Sequence, residues 1–354
     1  MRYSQLGRTD IQVSRAGLGT MIFGEQVKQA DAFTLMDYAL DQGVNLFDTA
    51  ELYAIPPKPE TAGATETIIG NWFKTSGKRD QVVLASKVMG RDEERTWLRT
   101  PRQTLRLTRE QIDFALEGSL RRLQTDRIDL YQLHFPDRKS KALSFNVHPD
   151  VDDDYVPFED IIENLERHIQ KGNIRHWSVS NETSWGLMRY VAEADKAARP
   201  RPASIQNNYS LLNRDFEYGV VEDALRENVG LLAYSPLATG ALTGKYLDGA
   251  KPAGARQTLF GNDNALHRPG QEEAIRAYRD LAQSRGLPPE SLALKFVDMR
   301  PFVTSVLVGA RTLDQLKTNL AAFDLPWTDD LEKAVHEVYR HHRMVTAREL
   351  EKAE

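Results

Sequence analysis

Short apolar runs of strand length recur eight times along this chain, separated by longer stretches of helical period, and that alternation limits the possible folds most. The runs are Ala16–Thr20, Asn45–Asp48, Val82–Ser86, Asp129–His134, His176–Ser180, Ala203–Gln206, Gly230–Tyr234 and Val303–Val308. Between and after them lie helical stretches such as Asp31–Asp41, Thr108–Leu123, Phe158–Gln170, Ser184–Ala194, Glu272–Ser284 and Leu313–Ala322. Thr108 before Arg109-Glu110-Gln111 has the pattern of a capping box, and Gly172 follows the helix that ends near Lys171. Strands that alternate with helices run parallel through crossover connections, and eight is the number that closes a barrel. The expected fold is α/β, a single (β/α)8 TIM barrel over residues 1–354. A length of 354 residues permits this, because α/β barrels exceed the usual domain size as one unit.

An open doubly wound sheet is the competing arrangement, and its dinucleotide form needs Gly-x-Gly-x-x-Gly after the first strand. Here Gly17 and Gly19 fall inside that strand and Gly24 comes too late, so the pair reads as small residues for close packing. Outside the repeat, Tyr3–Leu6 and Ile11–Val13 joined by Gly7-Arg8-Thr9-Asp10 read as a hairpin capping one end of the barrel (residues 1–14). Asp329–Met344 reads as a helix in a C-terminal tail over residues 325–354. Three long connections, Met89–Leu107, Phe135–Pro157 and Ala238–Gly270, follow strands and so crowd the C-terminal face, where barrel active sites lie. Trp97, Phe135, Phe145, Tyr155 and Phe260 in them offer an apolar lining for a substrate.

Composition removes several classes of function. A net charge of −5 carries no electrostatic footprint of nucleic-acid binding. The absence of cysteine rules out disulfides and thiolate zinc sites. His341 and His342 are adjacent on a helix, point to different faces, and make no metal site. With no signal-peptide core at Met1-Arg2-Tyr3-Ser4 and no apolar run long enough for a bilayer, the expected location is the cytoplasm, away from membranes.

Ionisable residues end successive strands. Asp48 closes the second, with Tyr53 a few residues on; Lys87 closes the third and His134 the fourth. Neighbouring strands that each deliver such a group to one face assemble catalytic sites in this fold. The types fit carbonyl reduction, because hydride transfer leaves charge on oxygen that a positioned acid must neutralise. Tyr53 is the candidate proton donor, Lys87 stabilises its anion, Asp48 holds Lys87 charged, and His134 polarises the carbonyl.

Asn45-Leu46-Phe47-Asp48-Thr49-Ala50-Glu51-Leu52-Tyr53, followed by Glu66-Thr67-Ile68-Ile69-Gly70, resembles the first signature of the aldo-keto reductase superfamily. Ser86-Lys87, Gln132-Leu133-His134 and Gly172-Asn173-Ile174-Arg175-His176-Trp177-Ser178-Val179-Ser180-Asn181 are similar to its later segments, as are Ala233-Tyr234-Ser235-Pro236-Leu237 and Val308-Gly309-Ala310-Arg311-Thr312. Pro56–Thr61, Asn71-Trp72 and Leu242–Leu247 resemble the bacterial Tas-type branch, related to potassium-channel β subunits. The resemblance implies NADPH as cofactor, a small carbonyl substrate, and Asp48, Tyr53, Lys87 and His134 as a catalytic tetrad. It implies that Ser180, Asn181 and Gln206 hold the nicotinamide carboxamide and that Tyr234 stacks on the ring. It places Ser235, Pro236, Leu237, Gly240 and Lys245 at the pyrophosphate, with Gly309, Arg311, Gln315 and Asn319 at the adenosine end. Independently, the loops after strands seven and eight are where such barrels bind phosphate, and the planar fork of Arg311 suits a 2′-phosphate. Ser178 departs from the usual glycine, Asn208 stands where proline or tyrosine is common, and the loop Phe260–Arg268 is poor in aromatics. Two other readings compete: a non-catalytic NADPH-binding regulatory subunit, and a glycosidase using Asp48 and Glu51. The second leaves Lys87, His134 and the phosphate-binding segments without a role.

Overall fold

The computed structural model of the protein describes residues 1–138, 153–261 and 270–342. Eight parallel strands close a barrel in chain order: β3 (Ala16–Gly19), β4 (Leu46–Asp48), β5 (Val83–Val88), β6 (Ile128–Leu133), β7 (Ile174–Ser180), β8 (Ser204–Asn208), β9 (Gly230–Tyr234) and β10 (Val303–Val308), which returns to pair with β3. Before them β1 (Tyr3–Gln5) and β2 (Gln12–Ser14) form an antiparallel hairpin. Its Leu6, Ile11 and Val13 are buried with the inward Leu46, Ala85, Leu130, Leu232 and Leu307, so the hairpin plugs the barrel end opposite the strand C-termini. The expected barrel and hairpin are thus both present.

The helices are α1 (Gln29–Asp41), α2 (Ala64–Ser76), α3 (Arg109–Leu123), α4 (Phe158–Gln170), α5 (Ser184–Lys196), α6 (Val220–Glu227), α7 (Arg256–Phe260), α8 (Gln271–Ser284), α9 (Pro289–Asp298), α10 (Leu313–Ala321) and α11 (Asp329–His342). Period alone does not single out α2, α6 or α9. In α9 every residue from Ser291 to Asp298 is buried, so no polar face marks it as amphipathic. In α2, Thr65 and Glu66 are buried and the β-branched residues and glycine that follow are weak helix formers.

Local signals resolve in detail. The Thr108 hydroxyl accepts from the Gln111 N–H at 3.4 Å, but the Gln111 side chain turns to Thr104 and Arg106, so only half of the capping box forms. Gly172 sits at φ +77° and its N–H closes onto Ile169 O, which ends α4 as the glycine suggested. β5 runs one residue beyond Lys87, and His134 lies just past β6, its N–H bonded to Val88 O at 2.8 Å. The tail helix α11 is described to His342; Met344 and residues 343–354 lie outside the described residues.

Gly17 packs as expected, since a Cβ there would come within 2.8 Å of Leu307 and 3.1 Å of Leu46. Gly70 of α2 is under a harder constraint, because its Cβ would stand 2.2 Å from the Arg122 carbonyl oxygen at the end of α3. Backbone cannot rotate away as a side chain can, so Gly70→Ala forces the two helices apart. The expected loss is about 1–3 kcal/mol, read as a lower denaturation midpoint.

Candidate active site

The C-terminal ends of β4, β5, β6 and β8 bring Asp48, Lys87, Gln132 and Gln206 together inside the barrel, all at least nine-tenths buried. Strand alternation explains this: Leu46, Ala85 and Leu130 point inward onto the hairpin, and the residue two further along each strand points inward one layer higher. Lys87 Nζ donates to Asp48 Oδ2 at 2.6 Å, to Thr49 O at 2.8 Å and to Tyr53 Oη at 3.4 Å. Three acceptors around one nitrogen fit the three protons of an ammonium. Burial pushes the Lys87 pKa below its ordinary value, and the Asp48 carboxylate works against that shift. The other oxygen, Asp48 Oδ1, accepts from Gln132 Nε2 and Gln206 Nε2, each at 2.8 Å.

Tyr53 reaches over this layer from the loop after β4. Its ring is 4.8 Å from the Lys87 ammonium and meets His134 edge-on, centroids 5.6 Å apart. Burial, then the nearby Asp48 charge, pushes the phenol well above its ordinary pKa, with Arg256 opposing. Tyr53 therefore stands protonated, and because its oxygen accepts from Lys87, its own O–H is left for the cavity.

That cavity measures about 960 Å³. Asp48, Tyr53 and His134 line it, while Lys87 lies beneath them. Every residue assigned by resemblance to the cofactor also lines it: Ser180, Asn181, Gln206, Tyr234, Ser235, Pro236, Leu237, Gly240, Lys245, Gly309, Arg311, Gln315 and Asn319. At one end Ser180 Oγ donates to Gln206 O, Asn181 Nδ2 donates to His134 O, and Tyr234 Oη donates to Asn181 Oδ1 at 2.7 Å. Burial raises Tyr234 to about 12, with the neighbouring Tyr53 adding to it.

At the other end Lys245 and Arg311 form no ion pair among the described residues. Burial lowers the Lys245 pKa, and the like charge of Arg311 lowers it further. Glu290 on the cavity wall opposes that shift, but neither cation is salt-bridged among the described residues, and two such cations side by side suit an anionic ligand. The loop after β9 is strained: Ser235, Ala238 and Thr239, none of them glycine, have φ of +55°, +47° and +56°. Such outliers cost about 1–3 kcal/mol each and cluster at ligand clamps. Gly309 leaves the floor bare, since a Cβ there would meet only Gly19 O, at 3.8 Å. Across the cavity the buried Gln26 Nε2 has no acceptor among the described residues. These residues fit an extended molecule with an anionic end and hydrogen-bonding groups along it.

Gln26, Arg256 and Glu290 line the cavity without a sequence signal that marks them, and Gln132, part of a segment that carries the resemblance, is given a place in the site by the structure. The apolar lining also differs from expectation. Phe135 lines the cavity, joined by Met21, Ile22, Leu52, Ile55 and Met89. Trp97 borders a separate, smaller pocket with Glu51, and Tyr155 packs edge-on against Phe158 and Trp185. Phe260 is absent from the lining. Phe145, most of the Phe135–Pro157 connection (residues 139–152) and residues 262–269 of the loop after α7 lie outside the described residues. The glycosidase reading fails on geometry. Glu51 is turned away into a buried bidentate pair with Arg99, at 2.8 and 3.0 Å, and does not face Asp48 across the cavity.

Residues 15–340 match the model of the aldo/keto reductase family. The chain is 46% identical to Protein tas of Escherichia coli over 345 residues, 96% of this chain and 99% of that protein. It is 35% identical to the uncharacterized oxidoreductase YrpG of Bacillus subtilis over 340 residues, 96% of both chains. A Babesia bovis aldo-keto reductase is 37% identical over 278 residues, 73% of this chain and 96% of the relative. Among the described residues no helix is long and apolar enough to cross a membrane. With a closed barrel, a buried Asp–Lys–Tyr–His arrangement at its mouth and relatives matched along nearly the whole chain, the protein belongs to the aldo/keto reductase family of oxidoreductases, in its Tas-type branch.

Proposed function

We propose that the protein reduces aldehydes and ketones to alcohols with NADPH, and that Tyr53 delivers the proton. The observation that carries this reading is the bonded path Asp48–Lys87–Tyr53, opening on a cavity whose far end holds Lys245 and Arg311. A bound nicotinamide supplies hydride at such a site. The chain's own groups do the rest. Tyr53 holds a proton at the cavity surface, and the Lys87 ammonium stabilises the phenolate left when that proton moves to the carbonyl oxygen. Asp48 keeps Lys87 charged against the cost of its burial. His134, edge-on to Tyr53, hydrogen-bonds the carbonyl oxygen and fixes its approach. Met21, Leu52, Ile55, Met89 and Phe135 exclude water and favour carbonyls with an apolar body.

Ser180, Asn181 and Gln206 hold the carboxamide and Tyr234 supports the ring. The loop carrying Ser235, Pro236, Leu237, Gly240 and Lys245 receives the pyrophosphate. Gly309, Arg311, Gln315 and Asn319 take the adenosine end, with Arg311 on the 2′-phosphate. The test compares the two nicotinamide cofactors. Arg311→Ala is expected to weaken NADPH binding roughly tenfold to a hundredfold, the scale of a charge-assisted hydrogen bond, and to leave NADH binding nearly unchanged. Equal losses for both cofactors would place Arg311 elsewhere, and wild-type binding without turnover of any aldehyde would remove the reductase reading.

A further inference from the structure

We propose that Gln132 is a positioning residue whose task is to fix which way the Gln206 amide faces. This rests on the reading above, in which Gln206 meets the cofactor's carboxamide. Gln132 lies on β6, in register with Lys87 of β5, and is wholly buried. Its Nε2 donates to Asp48 Oδ1 at 2.8 Å, and its Oε1 accepts from Gln206 Nε2 at 3.0 Å. Gln206 Nε2 donates a second time, to Asp48 Oδ1 at 2.8 Å. Both amide protons of Gln206 are therefore committed inward, and only its Oε1 remains for the cavity that Gln206 lines.

An amide can normally turn end for end at little cost, because its oxygen and nitrogen have nearly the same shape. Here it cannot. Turned over, Gln206 would set its oxygen against the Asp48 carboxylate and the Gln132 carbonyl, three acceptors with no proton among them. Asp48 alone supplies one of the two inward acceptors, and Gln132 supplies the other. It also ties Asp48 Oδ1 in place from the neighbouring strand while Lys87 holds Oδ2. The consequence is chemical selectivity. A position that offers only an acceptor, as Gln206 does, prefers a ligand group carrying N–H, such as a primary carboxamide, and disfavours a methyl ketone of the same shape.

The experiment measures dissociation constants for NADP+ and its 3-acetylpyridine analogue, which has a methyl ketone in place of the amide, on the full-length protein. Wild type is expected to favour the carboxamide by roughly tenfold or more, since the analogue leaves the Gln206 oxygen unmet. Gln132→Met removes one of the two inward acceptors and leaves Asp48 alone to oppose the turn, so the preference is expected to shrink to about threefold or less. Gln132→Glu keeps an acceptor for Gln206 Nε2 and is expected to keep the preference, even where the added carboxylate beside Asp48 slows turnover. A purely structural role would not separate these two variants. Should circular dichroism find the methionine variant unfolded, Gln132→Ala, which cannot clash, carries the same expectation. A wild-type ratio in the methionine or alanine variant, or a ratio lost equally in the glutamate variant, overturns the proposal. Wild type that binds neither nucleotide overturns the cofactor reading itself, a separate failure seen before any variant is made.

Discussion

Tyr53→Phe is expected to lower kcat for aldehyde reduction by about 10²-fold or more while leaving the dissociation constant for NADPH within about threefold of wild type. The variant is close to a clean deletion of one hydroxyl. The ring packs in a small apolar cluster with Ala50, Leu52, Met89 and Leu105, which phenylalanine can keep. Among the described residues the protein bond lost is the 3.4 Å contact from Lys87, which still has Asp48 and Thr49 as partners. Stability is thus expected to change little, so a loss of rate reports on the proton and not on the fold. Single-turnover measurement with NADPH bound separates the chemical step from cofactor exchange. If the rate stays within about tenfold of wild type, the proton comes from elsewhere. His134 is then the first candidate, and His134→Asn should abolish activity.

Asp298→Asn is expected to cost about 3–5 kcal/mol of folding stability, the largest effect foreseen for any residue outside the site. The Asp298 side chain is wholly buried at the last residue of α9, where the helix dipole disfavours a negative charge. Cations hold it there. Arg15 Nε donates to Oδ1 at 2.9 Å, Lys295 Nζ donates to Oδ2 at 3.0 Å, and Arg2 adds a further contact. Arg15 also donates to the carbonyl oxygens of Val303 and Asp298, and Lys295 to that of Phe323. The cluster ties the hairpin and β3 to α9 and the start of β10. Asparagine keeps the shape but leaves two buried cations without a counter-charge. Arg2, more than half exposed, is the control, and Arg2→Ala should cost under about 1 kcal/mol. Urea denaturation of both variants measures the difference. An Asp298→Asn loss near that of Arg2→Ala would mean that water already screens the cluster.

The architecture and the meeting of Asp48, Tyr53, Lys87 and His134 at one face were legible in sequence for the same reason. Period and strand ends are local properties, and a parallel barrel sends every strand C-terminus to one face. Once Asp48, Lys87 and His134 are each placed at the end of a run, they must come near one another. Gly230–Tyr234 and Val303–Val308 were likewise bounded correctly by their apolar residues alone. What could not be read locally was anything decided by neighbours distant in the chain. No local pattern marks Gln132 and Gln206 as partners of Asp48, and they become so only because closure stacks their layer, 84 and 158 positions away. Trp97 and Tyr155 sit in the loops expected to line the pocket, yet Trp97 packs against the cluster around Tyr53 and borders a smaller pocket, and Tyr155 packs on Phe158 and Trp185, while Met21 and Ile55 line the cavity. Helix α9 hides because burial on all sides erases the pattern by which a helix is recognised. Sequence by itself therefore determined the barrel, its hairpin plug and which face carries the chemistry. Tertiary structure alone decided how Gln132 and Gln206 bond to Asp48 and which apolar side chains line the cavity, because those choices depend on strand register and loop packing that no local period encodes.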